Sequence, residues 1–146
     1  MFKFERNPVS SNISRFRVIV ESTENYDIAG TLYNDFYGFA IDFNGIRQMI
    51  SYLDEFFDYV NFPQATHKKR SFHEQQPNRE IKHPYHGLRD VSAEAMQDKH
   101  AAFLLHVQFR QNSTWQGTLE WIDEKKIKRF RSELEMIGMI ADAIGK

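Results

Sequence analysis

The chain has 146 residues, a formal net charge of −1, a hydrophobic fraction of 41% and no Cys. That length and apolar content suit one compact unit, or two small repeats sharing a core. The near-zero charge provides no global field to draw the chain onto nucleic acid or an acidic membrane, and the lack of Cys excludes disulfides, thiolate metal sites and Cys nucleophiles.

Phe2 and Phe4 alternate with Lys3 and Glu5, which reads as an edge strand ended by Pro8. No apolar run approaches the roughly 18 residues that span a bilayer. Met1 to Arg6 also carries charges where a signal peptide needs an apolar core. A soluble cytoplasmic protein with no membrane partner is expected.

Phe16, Val18 and Val20 alternate with Arg17, Ile19 and Glu21, predicting a strand. A turn at Ser22 to Asn25 leads to a second strand, Tyr26 to Tyr33, and a third follows from Tyr37 to Phe43. The period then becomes helical through Ile46, Met49, Ile50, Leu53, Phe57 and Val60, predicting a helix over 45–60 with Asn44 as N-cap and Pro63 beyond its end. The first unit is thus βββα over 1–62.

Residues 63–101 read as a polar connection containing His and Pro, with a short helix expected between Asp90 and His100. The second unit, 102–146, repeats the order of the first. Its strands are expected at Phe103 to Arg110, Trp115 to Ile122 and Lys126 to Arg131, with a helix from Glu133 to Ile144. An offset of 87 residues places Gly30-Thr31-Leu32 on Gly117-Thr118-Leu119, Phe16 on Phe103, Val20 on Val107, Asn25 on Asn112 and Phe43 on Phe130. The fold class read from this is α+β, a tandem duplication βββα-βββα with helices packed on sheet and one shared core. The two sheets could be continuous, or each could pack on the other's helix.

The second half resembles a family of short, uncharacterised bacterial modules with the pattern Arg-Gln-Asn-x-x-Trp-Gln-Gly, a later aromatic, then Phe-Arg-Ser-x-Leu-Glu and an apolar helix. Arg110, Gln111, Asn112, Trp115, Gln116, Gly117, Trp121, Phe130, Arg131, Ser132, Leu134 and Glu135 carry the resemblance. It covers about 103–144 and implies a recurring fold without transferring any chemistry.

Candidate ligand-binding residues are Arg110, Gln111, Asn112, Trp115, Gln116 and Arg131. Two guanidiniums, amides and an indole could hold a phosphate or carboxylate and stack a base. The competing reading makes Trp115 and Trp121 core residues and pairs Arg131 with Glu133 or Glu135. Lys125, Lys126, Lys128 and Arg129 add local positive charge, read as a solvated strand face rather than a nucleic-acid groove. Ser132 and Glu135 form a capping box rather than a nucleophile and base. His83 and His86, three apart around Pro84, are weak metal candidates; no zinc, Walker A or nucleophile-elbow pattern occurs.

No catalytic residue and no cofactor is indicated. The expected function is therefore a non-enzymatic binding or regulatory module acting through protein–protein contacts, with a protein partner or self-association. The alternative is a receptor for a small anionic ligand, such as a nucleotide or nucleotide second messenger.

Overall fold

Runs of alternating apolar residues become neighbouring strands of a single sheet. The computed structural model describes residues 11–64, 87–92, 94–96 and 99–145. Its elements are β1 (Arg15–Ser22), β2 (Ala29–Asn34), β3 (Phe39–Asn44), α1 (Ile46–Val60), β4 (Arg89–Asp90), β5 (Phe103–Phe109), β6 (Gln116–Trp121), β7 (Lys126–Phe130) and α2 (Glu133–Ile144). Short 3-10 turns lie at Ser11–Ser14 and Glu24–Tyr26. The expected strand at the N-terminus falls outside the described residues.

The architecture is α+β, with a sheet larger than the expected three-stranded meanders. Among the described residues it has seven antiparallel strands in the order β4-β3-β2-β1-β5-β6-β7. The halves meet at β1 and β5, where Phe16 opposes Leu105, Arg17 opposes Leu104 and Val18 opposes Phe103. The sheet is therefore continuous across the middle of the chain.

The registers of the two halves coincide at the 87-residue offset. Val20 opposes Gly30, and Val107 opposes Gly117. Gly30 opposes Phe43, and Gly117 opposes Phe130. The β1–β2 and β5–β6 hairpins carry a bulge at the same place, between Val20 and Ser22 and between Val107 and Phe109. Each bulged strand drives a carbonyl towards the facing glycine: a Cβ on Gly30 would lie 1.8 Å from the Ile19 oxygen, and one on Gly117 2.0 Å from the His106 oxygen. Only glycine fits at either position without moving the backbone.

One face of the sheet is covered by both helices. Phe16, Val18, Phe39, Phe103, Leu105 and Phe130 from the strands join Leu53, Phe56 and Phe57 from α1 and Met136 and Ile140 from α2 in one buried cluster. On the other face, a smaller cluster of Ile19, Tyr33, Ala40 and Met96 packs with Val91 and Ala101.

Three local expectations are corrected. The second strand begins at Ala29 rather than Tyr26, because Asn25 and Tyr26 take left-handed φ values of 59° in the preceding turn. The cap of α1 is Gly45, at φ 102°, not Asn44, which ends β3. Asp27 supplies the side chain: its Oδ1 accepts from Ile46 N at 2.8 Å, and a Cβ on Gly45 would crowd its Oδ2 at 3.1 Å. Finally, no helix forms between Asp90 and His100 among the described residues. Arg89–Asp90 pairs with β3 instead, Val91 N donates to the Gly38 carbonyl at 3.0 Å, and residues 94–96 make a turn. The hydroxyl of Tyr33 donates to the Val91 carbonyl at 3.0 Å and ties the segment across the sheet face.

Candidate functional site

The six candidate residues sit around the turn between β5 and β6 and the start of α2, but they do not converge on one cavity wall. Arg110 follows β5 directly and is buried. Its Nη1 donates to Asp58 Oδ1 at 2.6 Å, its Nη2 donates to the Phe57 carbonyl at 3.1 Å, and its Nε donates to the Pro63 carbonyl. The guanidinium carbon also lies 5.8 Å from the Phe57 ring centroid. A helix ends with unsatisfied carbonyls. Arg110 adds a second donor to one of the last carbonyls of α1, that of Phe57, which also accepts from Phe62 N, and brings positive charge to the negative end of the helix dipole. A residue of the second half therefore closes the helix of the first.

Trp115 is 3% exposed and meets Phe57 edge-on, with ring centroids 5.4 Å apart. Its backbone N–H donates to Glu133 Oε1. Trp121, by contrast, is half-buried at the margin of the same core. Phe57 thus touches both Arg110 and Trp115 and joins the two halves.

Gln111, Asn112 and Gln116 organise the turn. Gln116 Oε1 accepts from Gln111 N at 2.9 Å, while its Nε2 donates to the Gln111 carbonyl at 3.0 Å and to Thr114 Oγ1 at 2.8 Å. Asn112 takes φ 57° and the following Ser113 φ 61°, matching Asn25 and Tyr26 in the first half. Asn tolerates this left-handed region better than most residues do.

Arg131 points away from this group, with its side chain 88% exposed and its Nε 3.6 Å from Glu135 Oε2. Ser132 caps α2, its Oγ accepting from Glu135 N at 3.1 Å, and Glu135 Oε1 accepts from Arg131 N at 3.2 Å. The structure therefore brings Gln111, Gln116 and the Arg131 backbone together, places Arg110 and Trp115 in the interior, and leaves the Arg131 guanidinium outside.

His83 and His86 lie outside the described residues. Among the described residues no group of three His, Asp or Glu could hold a metal ion. No described helix is long and apolar enough to cross a membrane.

Two further features stand out. His106, on β5, is buried and its Nε2 lies 3.0 Å from the Ser11 carbonyl. Burial lowers its pKa, the bond to Ser11 opposes that shift, and nearby Arg15 adds to it. The neutral ring donates Nε2–H to Ser11 and so fastens the first turn onto the sheet. The second feature is β7. Lys126, Ile127, Lys128 and Arg129 are all exposed, Ile127 at 64%. Among the described residues, no strand lies along the outer edge of β7, and Lys126, Lys128 and Arg129 make no ion pair. The charge of this strand is visible in the sequence. The exposure of Ile127 is not, because alternation alone does not reveal which strand ends the sheet.

The fold and site together define an α+β protein with one helix-covered sheet face and, among the described residues, β7 as an edge strand. The chain matches no family model, no curated protein and no solved structure.

Proposed function

We propose that this chain is a non-enzymatic binding module that acts through protein–protein contacts, built from two copies of one βββα unit. The observation that carries the functional reading is the outer edge of β7, where Ile127 is 64% exposed among three cations. An unpaired edge presents main-chain donors and acceptors that another polypeptide can satisfy. The duplication is supported by the common offset of registers, bulges and left-handed turn residues in the two halves. The absence of Cys supports action in a reducing compartment such as the cytoplasm.

The alternative, a receptor for a small anionic ligand, is favoured by one observation: Arg131 is exposed beside a positively charged strand, its guanidinium 3.6 Å from Glu135. It loses support from Arg110 and Trp115, which are engaged within the core.

A thermal-shift panel of nucleotides, cyclic dinucleotides, sugars and divalent metals separates the two. A ligand at about 100 times its dissociation constant adds roughly 2.7 kcal/mol to stability, which is visible as a raised melt. The protein-contact reading expects a flat panel. A rise with an anionic ligand that disappears in Arg131→Ala would replace it with the receptor reading.

A further inference from the structure

We propose that the outer edge of β7 receives an extended acidic segment of a partner protein as an added antiparallel strand. This rests on the protein-contact reading above and names the partner's chemistry. The molecule contains its own template for such a complex. At the 87-residue offset, β7 stands to β6 as β3 stands to β2. The outer edge of β3 is occupied: Phe39 opposes Asp90, and Ala40 opposes Arg89. The equivalent edge of β7 has no described strand along it.

The ladder shows which backbone groups are offered. On β3, Gly45 N donates inward to the Ile28 carbonyl, while the Gly38 carbonyl accepts outward from Val91 N. Antiparallel strands alternate such groups from one residue to the next. The outward positions of β3 are therefore Gly38, Ala40 and Asp42. Their equivalents on the second half are Lys125, Ile127 and Arg129, so Ile127 and Arg129 present their N–H and C=O groups to the open edge.

The side chains at these positions specify the occupant. Ala40 is fully buried in the cluster that includes Met96 and Val91, whereas Ile127 at the equivalent place is 64% exposed. An apolar residue placed as Val91 is would cover it. Asp42 pairs with Arg89 at 3.0 Å; its equivalent is Arg129, of opposite charge. The residue in the place of Arg89 must then be acidic. Lys126 and Lys128, whose side chains alternate to the other face, favour an acidic residue at the intervening position. A second copy of this chain does not meet these terms at β7, because antiparallel pairing of β7 with itself sets Lys126 against Lys128 and Arg129 against Lys125, or, two residues along, Lys128 against itself, and like charges across strands destabilise the pair. The pattern that fits is acidic-x-apolar, with the acidic residue opposite Ile127. Main-chain bonds would give affinity and the alternate side chains specificity.

The test is a titration of the isotopically labelled full chain, followed by amide NMR, with two six-residue peptides. One is the chain's own segment 87–92, Gly-Leu-Arg-Asp-Val-Ser. The other is its charge-reversed form, Gly-Leu-Glu-Asp-Val-Ser. At millimolar concentration the Glu peptide is expected to give saturable shifts confined to β7 and its flanks, and the Arg peptide to bind about tenfold more weakly. Arg129→Glu should invert that preference. Ile127→Pro removes one outward N–H without touching the bonds to β6, so it should abolish binding by the Glu peptide while the protein stays folded. Equal binding of both peptides, shifts centred elsewhere, or no shifts at all would each overturn strand addition at β7. A positive ligand in the thermal-shift panel would instead remove the protein-contact reading beneath it, so the two failures are distinguishable.

Discussion

Arg110 illustrates how one residue type supports opposite readings until its neighbours are known. Beside Gln111, Asn112 and Trp115 in the sequence it looks like an anion-binding group. In the fold it is buried against the end of α1, with partners at Phe57, Asp58 and Pro63, some fifty positions away. Composition and spacing cannot show contacts of that range. Arg110→Ala takes the donor from the buried Pro63 carbonyl, leaves the Phe57 carbonyl with its backbone donor from Phe62 N, and opens space beside Phe57. It should cost about 1–3 kcal/mol, most of it from the Pro63 carbonyl rather than from half-exposed Asp58. Arg110→Lys should recover only part, since an ammonium cannot reproduce the three-way fork. Denaturant unfolding of both variants checks this; a wild-type midpoint for Arg110→Ala would return the residue to the list of free binding groups. Ser132 and Glu135, by contrast, were legible as a cap because all their partners lie within four residues.

Among the elements, those with an internal period were the easiest to read. The alternation of Phe16, Val18 and Val20 marks β1, and the spacing from Met49 to Val60 marks α1. β4 was hidden because two residues, Arg89 and Asp90, carry no period and pair with a strand about fifty positions earlier. The first turn, Ser11–Ser14, was equally hidden: it is held by long-range bonds, from Ser14 Oγ to the Val107 carbonyl at 2.5 Å and between His106 and Ser11 at 3.0 Å. That docking has a pH dependence. The folded state lowers the pKa of His106, chiefly through burial. The unfolded chain therefore takes up the proton first, and the stability contributed by neutral His106 is present above the unfolded value of about 6.5 and is lost as pH falls through the lower folded value. Melting temperature should drop below pH 6.5, and the part of that drop due to this site should vanish in His106→Gln. An unchanged pH profile in the variant would mean that the ring does not govern this docking.

For the whole molecule, the shared Gly-Thr-Leu triplet points to an 87-residue offset at which the strand registers of the two halves coincide, but it does not show how the halves join. Either a continuous sheet or two sheets packed on each other's helices satisfied the sequence. The structure joins them at β1 and β5, and among the described residues it leaves β7 as one margin of the sheet while β4 forms the other. That difference between the two margins is the basis for assigning function to β7. Amide hydrogen exchange of the free, full-length chain tests it directly. Lys128 and Phe130, whose N–H groups face β6, should be protected, whereas Ile127 and Arg129 should exchange at nearly the rates of an unstructured chain. Protection of Ile127 and Arg129 comparable to that of Lys128 would mean that the edge is already covered, and it would contradict a vacant docking strand.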